Sequence, residues 1–134
     1  MSYRVLIVDD SSVIRAMVRR TITLAGLPVS ATFEAGNGRE ALDVLAREWI
    51  DIVLADLNMP EMNGEELVAR MAADALLVSI PVVIISSEYS PPRVEELTRR
   101  GVRAYLRKPF RPEGFRDVVA SILGSSGGDH AKPR

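Results

Sequence analysis

The segment from Ile50 to Gly64, IDIVLADLNMPEMNG, constrains the fold of this chain more than any other segment. It holds four consecutive apolar residues at 52–55, without polar alternation, which is typical of a strand buried on both faces of a parallel sheet. Asp56 follows directly, so its carboxylate is expected at the carboxyl edge of the sheet, where open α/β sheets bind ligands. Because an aspartate can also end a strand simply to begin a turn, other segments must decide between the two roles.

Strand-like and helix-like patterns alternate five times along the chain. The predicted strands are Tyr3–Val8, Val29–Glu34, Asp51–Ala55, Val82–Ser86 and Arg103–Leu106. The predicted helices run from Ser11 or Ser12 to about Ala25, over Arg39–Arg47, from about Gly64 onward, from Pro91-Pro92 to Gly101, and over about Pro112–Leu123. This alternation predicts an α/β fold in which helices cover both faces of a doubly wound, five-stranded parallel sheet.

The first predicted helix has apolar residues at helical spacing, which are expected to face the core. They are Val13, Ile14, Met17, Val18 and Ile22. Segment 125–134, after the last predicted helix, has no apolar periodicity and is expected to be a flexible tail. Its His130, the only histidine of the chain, is not expected to bind a ligand or to act in catalysis. The sequence thus predicts one domain over 1–124 and a tail over 125–134.

Composition narrows the classes of protein to which this chain can belong. Of its 134 residues 47% are hydrophobic, enough for the core of one globular domain, and no apolar run has the length of a membrane span. The acidic pair at 9–10 lies too early for a signal peptide, and the absence of cysteine excludes disulfides and thiolate chemistry. A cytoplasmic protein is therefore expected.

Charge is distributed unevenly, although the net charge is only −1. Residues 1–90 hold 7 Lys and Arg against 13 Asp and Glu, whereas residues 91–134 hold 10 against 5. Such asymmetry indicates either two solvated faces of different sign or a surface that binds a partner.

Charged and hydroxyl side chains stand at or just after the carboxyl ends of four predicted strands: Asp9 and Asp10 after the first, Asp56 after the third, Ser86 at the end of the fourth and Lys108 after the fifth. Since the carboxyl ends of parallel strands share one edge, these side chains are expected to lie together. Three neighbouring carboxylates repel one another unless a cation lies among them, and an all-oxygen site suits Mg²⁺. The lysine and the hydroxyl can bind phosphate oxygens, and a free carboxylate can act as a nucleophile. The set therefore predicts phosphoryl transfer onto an aspartate.

Each of these residues also has an ordinary structural role. An Asp-Asp pair after a strand can cap a helix, and serines can cap helices or form turns. No glycine-rich phosphate loop of the form GxGxxG or GxxxxGK[ST] occurs, which argues against a nucleotide enzyme. The joint occurrence of the polar residues in strand order, rather than any one of them, indicates a functional site.

Four segments resemble the receiver domain of two-component response regulators: VLIVDDS, DLNMPEMNG, PVVIISSE and GVRAYLRKPF. The resemblance extends from residue 3 to about residue 123 and is strongest to single-domain, chemotaxis-type receivers. It implies a flavodoxin-like fold with five helices and the strand order 2-1-3-4-5. It also implies a phosphoacceptor signalling domain that assists its own phosphorylation and dephosphorylation and is not a turnover enzyme.

The resemblance implies that Asp56 is the phosphoacceptor. Mg²⁺ would be held by Asp9, Asp10 and Asp56, with Asp10 the most direct ligand, together with the carbonyl of Asn58. Asn58 and Glu88 occupy the positions that flank the attacking water in the family and tune dephosphorylation.

Further roles follow from the same resemblance. Ser86, where threonine is common, would hydrogen-bond the phosphoryl group, and Lys108 would pair with it. The Lys108-Pro109 bond is expected to be cis, so that the lysine points back at the phosphoacceptor. Tyr105 resembles the aromatic switch residue, which moves inward when the hydroxyl on the fourth strand is drawn to the phosphate.

The implied partners are a histidine kinase or phosphotransfer protein as phosphodonor and an output target. Helix 4, strand 5 and helix 5 carry the basic excess in Arg93, Arg99, Arg100, Arg103, Arg107, Arg111 and Arg116. We expect this surface to bind an acidic segment of a partner, or a second copy of the chain, when Asp56 is phosphorylated. In the alternative, the arginines are solvated or paired with Glu95, Glu96, Glu113 and Asp117. Neither a membrane nor nucleic acid is expected as a partner.

Two other classes of function compete with a phosphorylated signalling domain. A phosphatase of the haloacid-dehalogenase type also forms an aspartyl-phosphate, but its nucleophile lies in a D-x-D pattern on the first strand, which Asp9-Asp10-Ser11 lacks. Steady release of phosphate from small phosphoesters would identify that class. A pure binding module would fail to be labelled by acetyl phosphate with Mg²⁺.

Overall fold

The computed structural model describes the backbone of residues 2–130 and the side chains of residues 2–124. Its sheet is formed by β1 (Tyr3–Val8), β2 (Val29–Ala35), β3 (Ile52–Ala55), β4 (Val82–Ser86) and β5 (Ala104–Arg107). All neighbouring strands are parallel, and their order is β2-β1-β3-β4-β5. The predicted flavodoxin-like α/β fold and its strand order are therefore confirmed.

Five helices connect or follow the strands: α1 (Ser12–Ala25), α2 (Gly38–Arg47), α3 (Gly64–Ala72), α4 (Pro91–Arg99) and α5 (Pro112–His130). Four of them begin at side-chain caps, in which an oxygen of the capping residue accepts a hydrogen bond from the backbone N–H three positions later. The capping residues are Ser11, Asn37, Asn63 and Ser90. Short polar residues therefore determine where these helices begin.

The core lies in two layers, one on each face of the sheet. In β1, Leu6 and Val8 belong to the layer covered by α2, α3 and α4, whereas Val5 and Ile7 belong to the layer covered by α1 and α5. Every residue of β3 is buried, as its unalternating apolar sequence predicts. The central strands β3 and β4 are thus buried along their whole length.

The prediction for the apolar stripe of α1 is wrong at two residues. Val18 and Ile22 are buried, but Val13 is 67% exposed and Met17 is 58% exposed. Successive residues lie about 100° apart around a helix, so Val13 and Met17 fall on the side away from Val18 and Ile22. Leu24, which is 63% exposed, lies on that same outer side.

Helix α5 also departs from the prediction, because it continues to His130 and not only to Leu123. An apolar pattern in the sequence shows only where a helix packs against the core. A helix can continue beyond that region because, once it has formed, each further residue adds one hydrogen bond. The side chains of 125–130 and residues 131–134 lie outside the described part of the chain. The flexibility of the tail 125–134 and the domain bounds therefore stay predictions. No helix among the described residues is long and apolar enough to cross a membrane.

Candidate functional site

Three carboxylates meet at the carboxyl edge of the sheet. The register of β1 and β3 pairs Val8 with Ala55, so the residues that follow these two strands are neighbours. Each of Asp9, Asp10 and Asp56 offers an oxygen that lies within 4.8 Å of those of the other two. Asp9 is buried, Asp56 is partly buried and Asp10 is exposed, so the cluster reaches the solvent. The structure thus brings together the three aspartates that the sequence singled out.

Lys108, the residue directly after β5, reaches into this cluster. Its Nζ lies 3.8 Å from Oδ2 of Asp9 and 4.0 Å from Oδ1 of Asp56. Its backbone N–H donates to the carbonyl of Ser86 over 2.9 Å, and the Lys108-Pro109 bond is cis, as predicted. One ammonium group therefore contacts two of the three carboxylates, and the three aspartates with Lys108 retain an excess of negative charge.

Burial and the neighbouring charges of the cluster shift the pKa of Asp56. Burial raises the pKa of its carboxyl above the ordinary value, and the charges of Asp9 and Asp10 raise the pKa further. The ammonium of Lys108 and the backbone N–H of Leu57 act in the opposite direction but do not cancel the rise. Folding thus disfavours the charged form of Asp56 in the absence of an added cation.

The loop between β3 and α3 is fixed by its own apolar residues. Leu57 is almost fully buried, and Met59 and Met62 are each only 9% exposed. The N–H of Gly64 donates to the carbonyl of Leu57 over 2.9 Å, and the N–H of Gly38 donates to the carbonyl of Met62 over 2.8 Å. These contacts hold the segment that carries Asp56 in one position.

Asn58 and Glu88 lie close together, although they belong to different loops. Asn58 belongs to the β3–α3 loop and Glu88 to the loop that follows β4, yet Nδ2 of Asn58 donates to Oε1 of Glu88 over 3.4 Å. Both residues are exposed to solvent. The structure therefore pairs the two residues that the sequence connected with dephosphorylation.

Ser86 and Tyr105 are joined through the loop after β4. Ser86 is buried at the end of β4, and its Oγ accepts a hydrogen bond from the N–H of Glu88 over 3.2 Å. The hydroxyl of Tyr105 donates to the carbonyl of the same Glu88. The Tyr105 ring is partly buried and packs against the core layer of α2, α3 and α4. A single loop residue thus contacts both Ser86 and Tyr105.

Sequence reasoning missed Tyr89, which lies in this loop and is 48% exposed. Its ring contacts Tyr105 edge-on, and the guanidinium of Arg107 lies over it. The available signal was an aromatic residue three positions beyond the end of a strand whose neighbour, β5, carries a tyrosine and an arginine at alternate positions.

The comparison with known proteins agrees with the arrangement of these residues. Residues 5–120 match the family described as the response regulator receiver domain. The chain belongs to this family. The resemblance that the sequence motifs indicated is therefore confirmed, and this receiver domain is a component of two-component signalling.

Its relatives include chemotaxis proteins. The receiver domain is 34% identical over 129 residues to a chemotaxis protein CheY homolog of Campylobacter jejuni, an alignment that covers 96% of this chain and 98% of that protein. It is 33% identical over 124 residues to chemotaxis protein CheY1 of Helicobacter pylori, covering 92% and 98% respectively. Among solved structures, chemotaxis response regulator CheY4 of Vibrio cholerae is similar, with a TM-score of 0.81 and 33% identity over 92% of this chain and 100% of that one. The single-domain, chemotaxis type of receiver is thus the type that this chain resembles.

Proposed function

We propose that this receiver domain accepts a phosphoryl group on Asp56 from a histidine kinase or a phosphotransfer protein. The observation that carries the proposal is the meeting of three carboxylates within 4.8 Å of one another, with the ammonium of Lys108 4.0 Å from Asp56. Carboxylates that repel one another lower the stability of the fold, so a purely structural role does not explain the cluster. A phosphoryl-transfer site, in contrast, uses both the negative charges of the carboxylates and the positive charge of the lysine.

The donor set fits Mg²⁺. The oxygens of Asp9, Asp10 and Asp56 are hard ligands, and an ion that keeps part of its water shell suits a cluster with one exposed member. The carbonyl of Asn58 is the proposed fourth protein ligand. A divalent cation held there would offset the repulsion among the carboxylates and the negative charge of the incoming phosphoryl group.

The transfer step uses the residues of the chain in distinct roles. An oxygen of the Asp56 carboxylate attacks the phosphorus of a phosphohistidine, a P–O bond forms, and the P–N bond to the donor imidazole breaks. The imidazole leaves with its electron pair and takes up a proton. Lys108 pairs with a phosphoryl oxygen, and the hydroxyl of Ser86 donates a hydrogen bond to another. Phosphoryl transfer needs few covalent steps from the protein, so these groups act mainly by positioning the reacting atoms and stabilising their charge.

The signal ends when the aspartyl-phosphate is hydrolysed. A water molecule attacks the phosphorus, the P–O bond to Asp56 breaks, and inorganic phosphate is released. Asn58, two residues after Asp56, contacts Glu88 over 3.4 Å, and both residues are exposed, so a water molecule can reach them. We assign them a role in the rate of dephosphorylation rather than in phosphoryl transfer. The domain thereby assists its own phosphorylation and dephosphorylation and is not a turnover enzyme.

The proposed output surface consists of α4, β5 and α5. Arg99 pairs with Glu95 at 3.6 Å, and Arg100 pairs with Glu96 at 3.0 Å. For these two arginines, the contacts agree with the alternative in which nearby acidic residues pair with them. Arg93 pairs instead with Glu65 of α3, at 3.2 Å. For four exposed arginines, no ion pair occurs with any described residue; these are Arg103, Arg107, Arg111 and Arg116. They support the binding of an acidic segment of an output protein, or of a second copy, when Asp56 is phosphorylated. We expect neither nucleic acid nor a membrane to bind there.

Intact mass after treatment with acetyl phosphate tests the phosphoacceptor role. We expect the wild type to gain the mass of one phosphoryl group with Mg²⁺ present and little without it, and Asp56→Asn to gain none. Asp43→Asn, which changes an exposed aspartate of α2, is the matched control and should be labelled like the wild type. Equal labelling of Asp56→Asn and the control would contradict the proposal. A cytoplasmic location stays a prediction.

A further inference from the structure

An aromatic cluster lies beside the loop between β4 and α4, outside the carboxylate site. The rings of Tyr89 and Tyr105 have centroids 5.9 Å apart and planes inclined by 80°, which is an edge-to-face contact. The guanidinium of Arg107 lies 5.3 Å from the centroid of the Tyr89 ring. Tyr89 therefore contacts both the proposed switch residue and one of the exposed arginines.

Strand register explains why these three residues meet. β5 pairs with β4 so that Tyr105 lies opposite Ile84 and Arg107 lies opposite Ser86. Residues two apart on a strand point to the same face, so Tyr105 and Arg107 extend side by side. Tyr89 follows the end of β4 by three positions and lies against both. The contacts thus arise from the sheet itself and from one short loop.

A continuous series of contacts links this cluster to the end of β4. The Oγ of Ser86 accepts a hydrogen bond from the N–H of Glu88, and the carbonyl of Glu88 accepts one from the hydroxyl of Tyr105. The Tyr105 ring then contacts Tyr89, over which Arg107 lies. A shift of the Ser86 hydroxyl toward a phosphoryl oxygen would therefore be transmitted to a series of groups that ends at an exposed charge.

We propose that Tyr89 and Arg107 form a clamp that holds Tyr105 against the core. Tyr89 is then the positioning residue through which the state of the phosphorylation site reaches Arg107. This inference rests on the proposed switch role of Tyr105. The clamp favours the inward position of the ring, in which its hydroxyl is hydrogen-bonded and its face packs on the core. Whatever favours the inward position must also strengthen binding of a phosphoryl group or its mimic, because coupling between two sites is reciprocal.

The clamp also defines how Arg107 meets a partner. A guanidinium that stacks on an aromatic ring keeps its N–H groups available at its edge. Stacking on Tyr89 reduces the number of conformations that Arg107 loses when it binds, which strengthens binding. The partner chemistry that fits such a group is a carboxylate, which can accept two parallel hydrogen bonds from it. When Tyr105 moves away from the core, Tyr89 and Arg107 lose this arrangement together.

The position of the Tyr105 ring in the unphosphorylated protein tests the clamp directly. The full chain contains three tyrosines, so labelling with 3-fluorotyrosine gives three ¹⁹F NMR signals, which single Tyr→Phe variants assign. We expect Tyr89→Ala and Arg107→Ala each to lower the ratio of inward to outward Tyr105 by about two- to fivefold. The double variant should lower it by less than the product of the two single effects, because both changes remove the same clamp. The signal of Tyr3 should not move.

Tyr89→Phe is the matched control, since it keeps the ring that contacts both neighbours and should keep the ratio of the wild type. Circular dichroism verifies that the variants fold, as expected for a residue that is 48% exposed. An unchanged Tyr105 signal in Tyr89→Ala, or equal losses in Tyr89→Phe and Tyr89→Ala, would overturn the clamp.

A titration with beryllium fluoride and Mg²⁺ separates this inference from the proposed function. We expect half-saturation of Tyr89→Ala to need about two- to fivefold more beryllium fluoride than the wild type, in step with the shift of the ring. Equal half-saturation of the two proteins would overturn the coupling. If the wild type fails to bind the mimic at all, the phosphoacceptor role fails, while the ring positions still decide whether the clamp exists.

Discussion

The carboxyl edge of the sheet and the surface formed by α4, β5 and α5 differ in how tightly their residues are held. At the edge, a Cβ atom added to Gly64 would lie only 2.4 Å from the carbonyl oxygen of Asp56, and one added to Gly38 would lie 2.9 Å from that of Met62. On the α4–β5–α5 surface, Arg99 and Glu95 form an ion pair although their side chains are 66% and 74% exposed. One region is packed backbone against backbone, and the other consists of side chains in solvent.

This difference indicates what each region can do. Phosphoryl transfer requires a carboxylate, an ammonium and a hydroxyl in fixed positions, and packed backbone provides them. Partner binding requires charges that can be presented or withdrawn, and exposed arginines provide those. Substitutions at the edge should therefore change stability and chemistry together, whereas substitutions on the surface should change binding and leave the fold intact.

Gly64→Ala should have the largest effect on stability. The added methyl group would lie 2.4 Å from the Asp56 carbonyl oxygen and 3.1 Å from the Cα of Leu57, so it meets backbone that has no side-chain rotamer to adjust. We expect a loss of about 3 kcal/mol in the free energy of unfolding, measured by urea denaturation. Phosphorylation of Asp56 should be slower as well, because the same displacement moves the nucleophile.

Gly114→Ala is the matched control for this substitution. Apart from its chain neighbours and the backbone of its own helix, no described atom lies within 4 Å of the position of its added Cβ, and Gly114 belongs to the first turn of α5. Alanine is favoured over glycine in a helix by up to about 1 kcal/mol, so this variant should be as stable as the wild type or more stable. Similar losses in the two variants would contradict the tight packing inferred for the carboxyl edge.

Asp56→Asn should have the next largest effect, and of the opposite sign. The pKa of Asp56 is raised in the folded protein, so folding favours its protonated form. At neutral pH the ionised carboxylate therefore costs stability, and its removal should raise the melting temperature by a few degrees. Below the ordinary value of 3.8 the carboxylate is protonated in both states, so the gain should shrink as the pH falls through the raised pKa toward 3.8.

Thermal unfolding of Asp56→Asn and the wild type across this pH range measures the effect. Asp43→Asn, at an exposed position of α2, should show no comparable gain at neutral pH. Mg²⁺ should reduce the advantage of Asp56→Asn, because a cation that binds the folded wild type stabilises it by mass action. A gain that is the same at neutral pH and below pH 3.8 would show that repulsion and burial of the charge are not its cause.

The fold was largely predictable because its signals are local. Buried strands appear in the sequence as apolar runs without polar alternation. Short polar residues cap the helices that follow them, as Ser11 and Asn63 do. The stripe of α1 was mispredicted because apolar residues occur on two sides of that helix, and spacing alone does not reveal which side meets the sheet. Val13 and Met17 fit helical spacing as well as Val18 does, yet only Val18 is buried.

The candidate site was predictable at its strand ends and less so in its loops. Parallel topology brings together whatever follows the strands, so the proximity of Asp9, Asp10 and Asp56 follows from the strand order. The contact of Asn58 with Glu88 and the clamp at Tyr89 depend on the paths of two loops. Turn residues indicate that a loop exists, but the side chains it brings together depend on the tertiary structure that anchors it.

The smallest effect on stability is expected on the α4–β5–α5 surface. Arg99→Glu replaces an attraction with a repulsion between exposed residues one helical turn apart, which costs only about 0.5 kcal/mol. Arg103→Glu changes an exposed residue just before β5, whose side chain has no ion pair with any described residue. Both variants should therefore unfold close to the wild type and be phosphorylated by acetyl phosphate to the same extent.

Binding should respond where stability does not. With beryllium fluoride and Mg²⁺, the wild type should bind a fluorescein-labelled acidic peptide or associate with itself, with an affinity that falls as salt is added, because exposed charges are screened. Arg99→Glu and Arg103→Glu should each weaken that affinity severalfold.

Arg39→Glu makes the same charge change at an exposed position of α2, outside this surface, and should have little effect. Fluorescence anisotropy and sedimentation velocity measure the two kinds of binding. If Arg39→Glu weakens binding as much as Arg103→Glu does, net charge rather than this surface governs recognition, and the division of the molecule into a rigid site and an exposed binding surface fails.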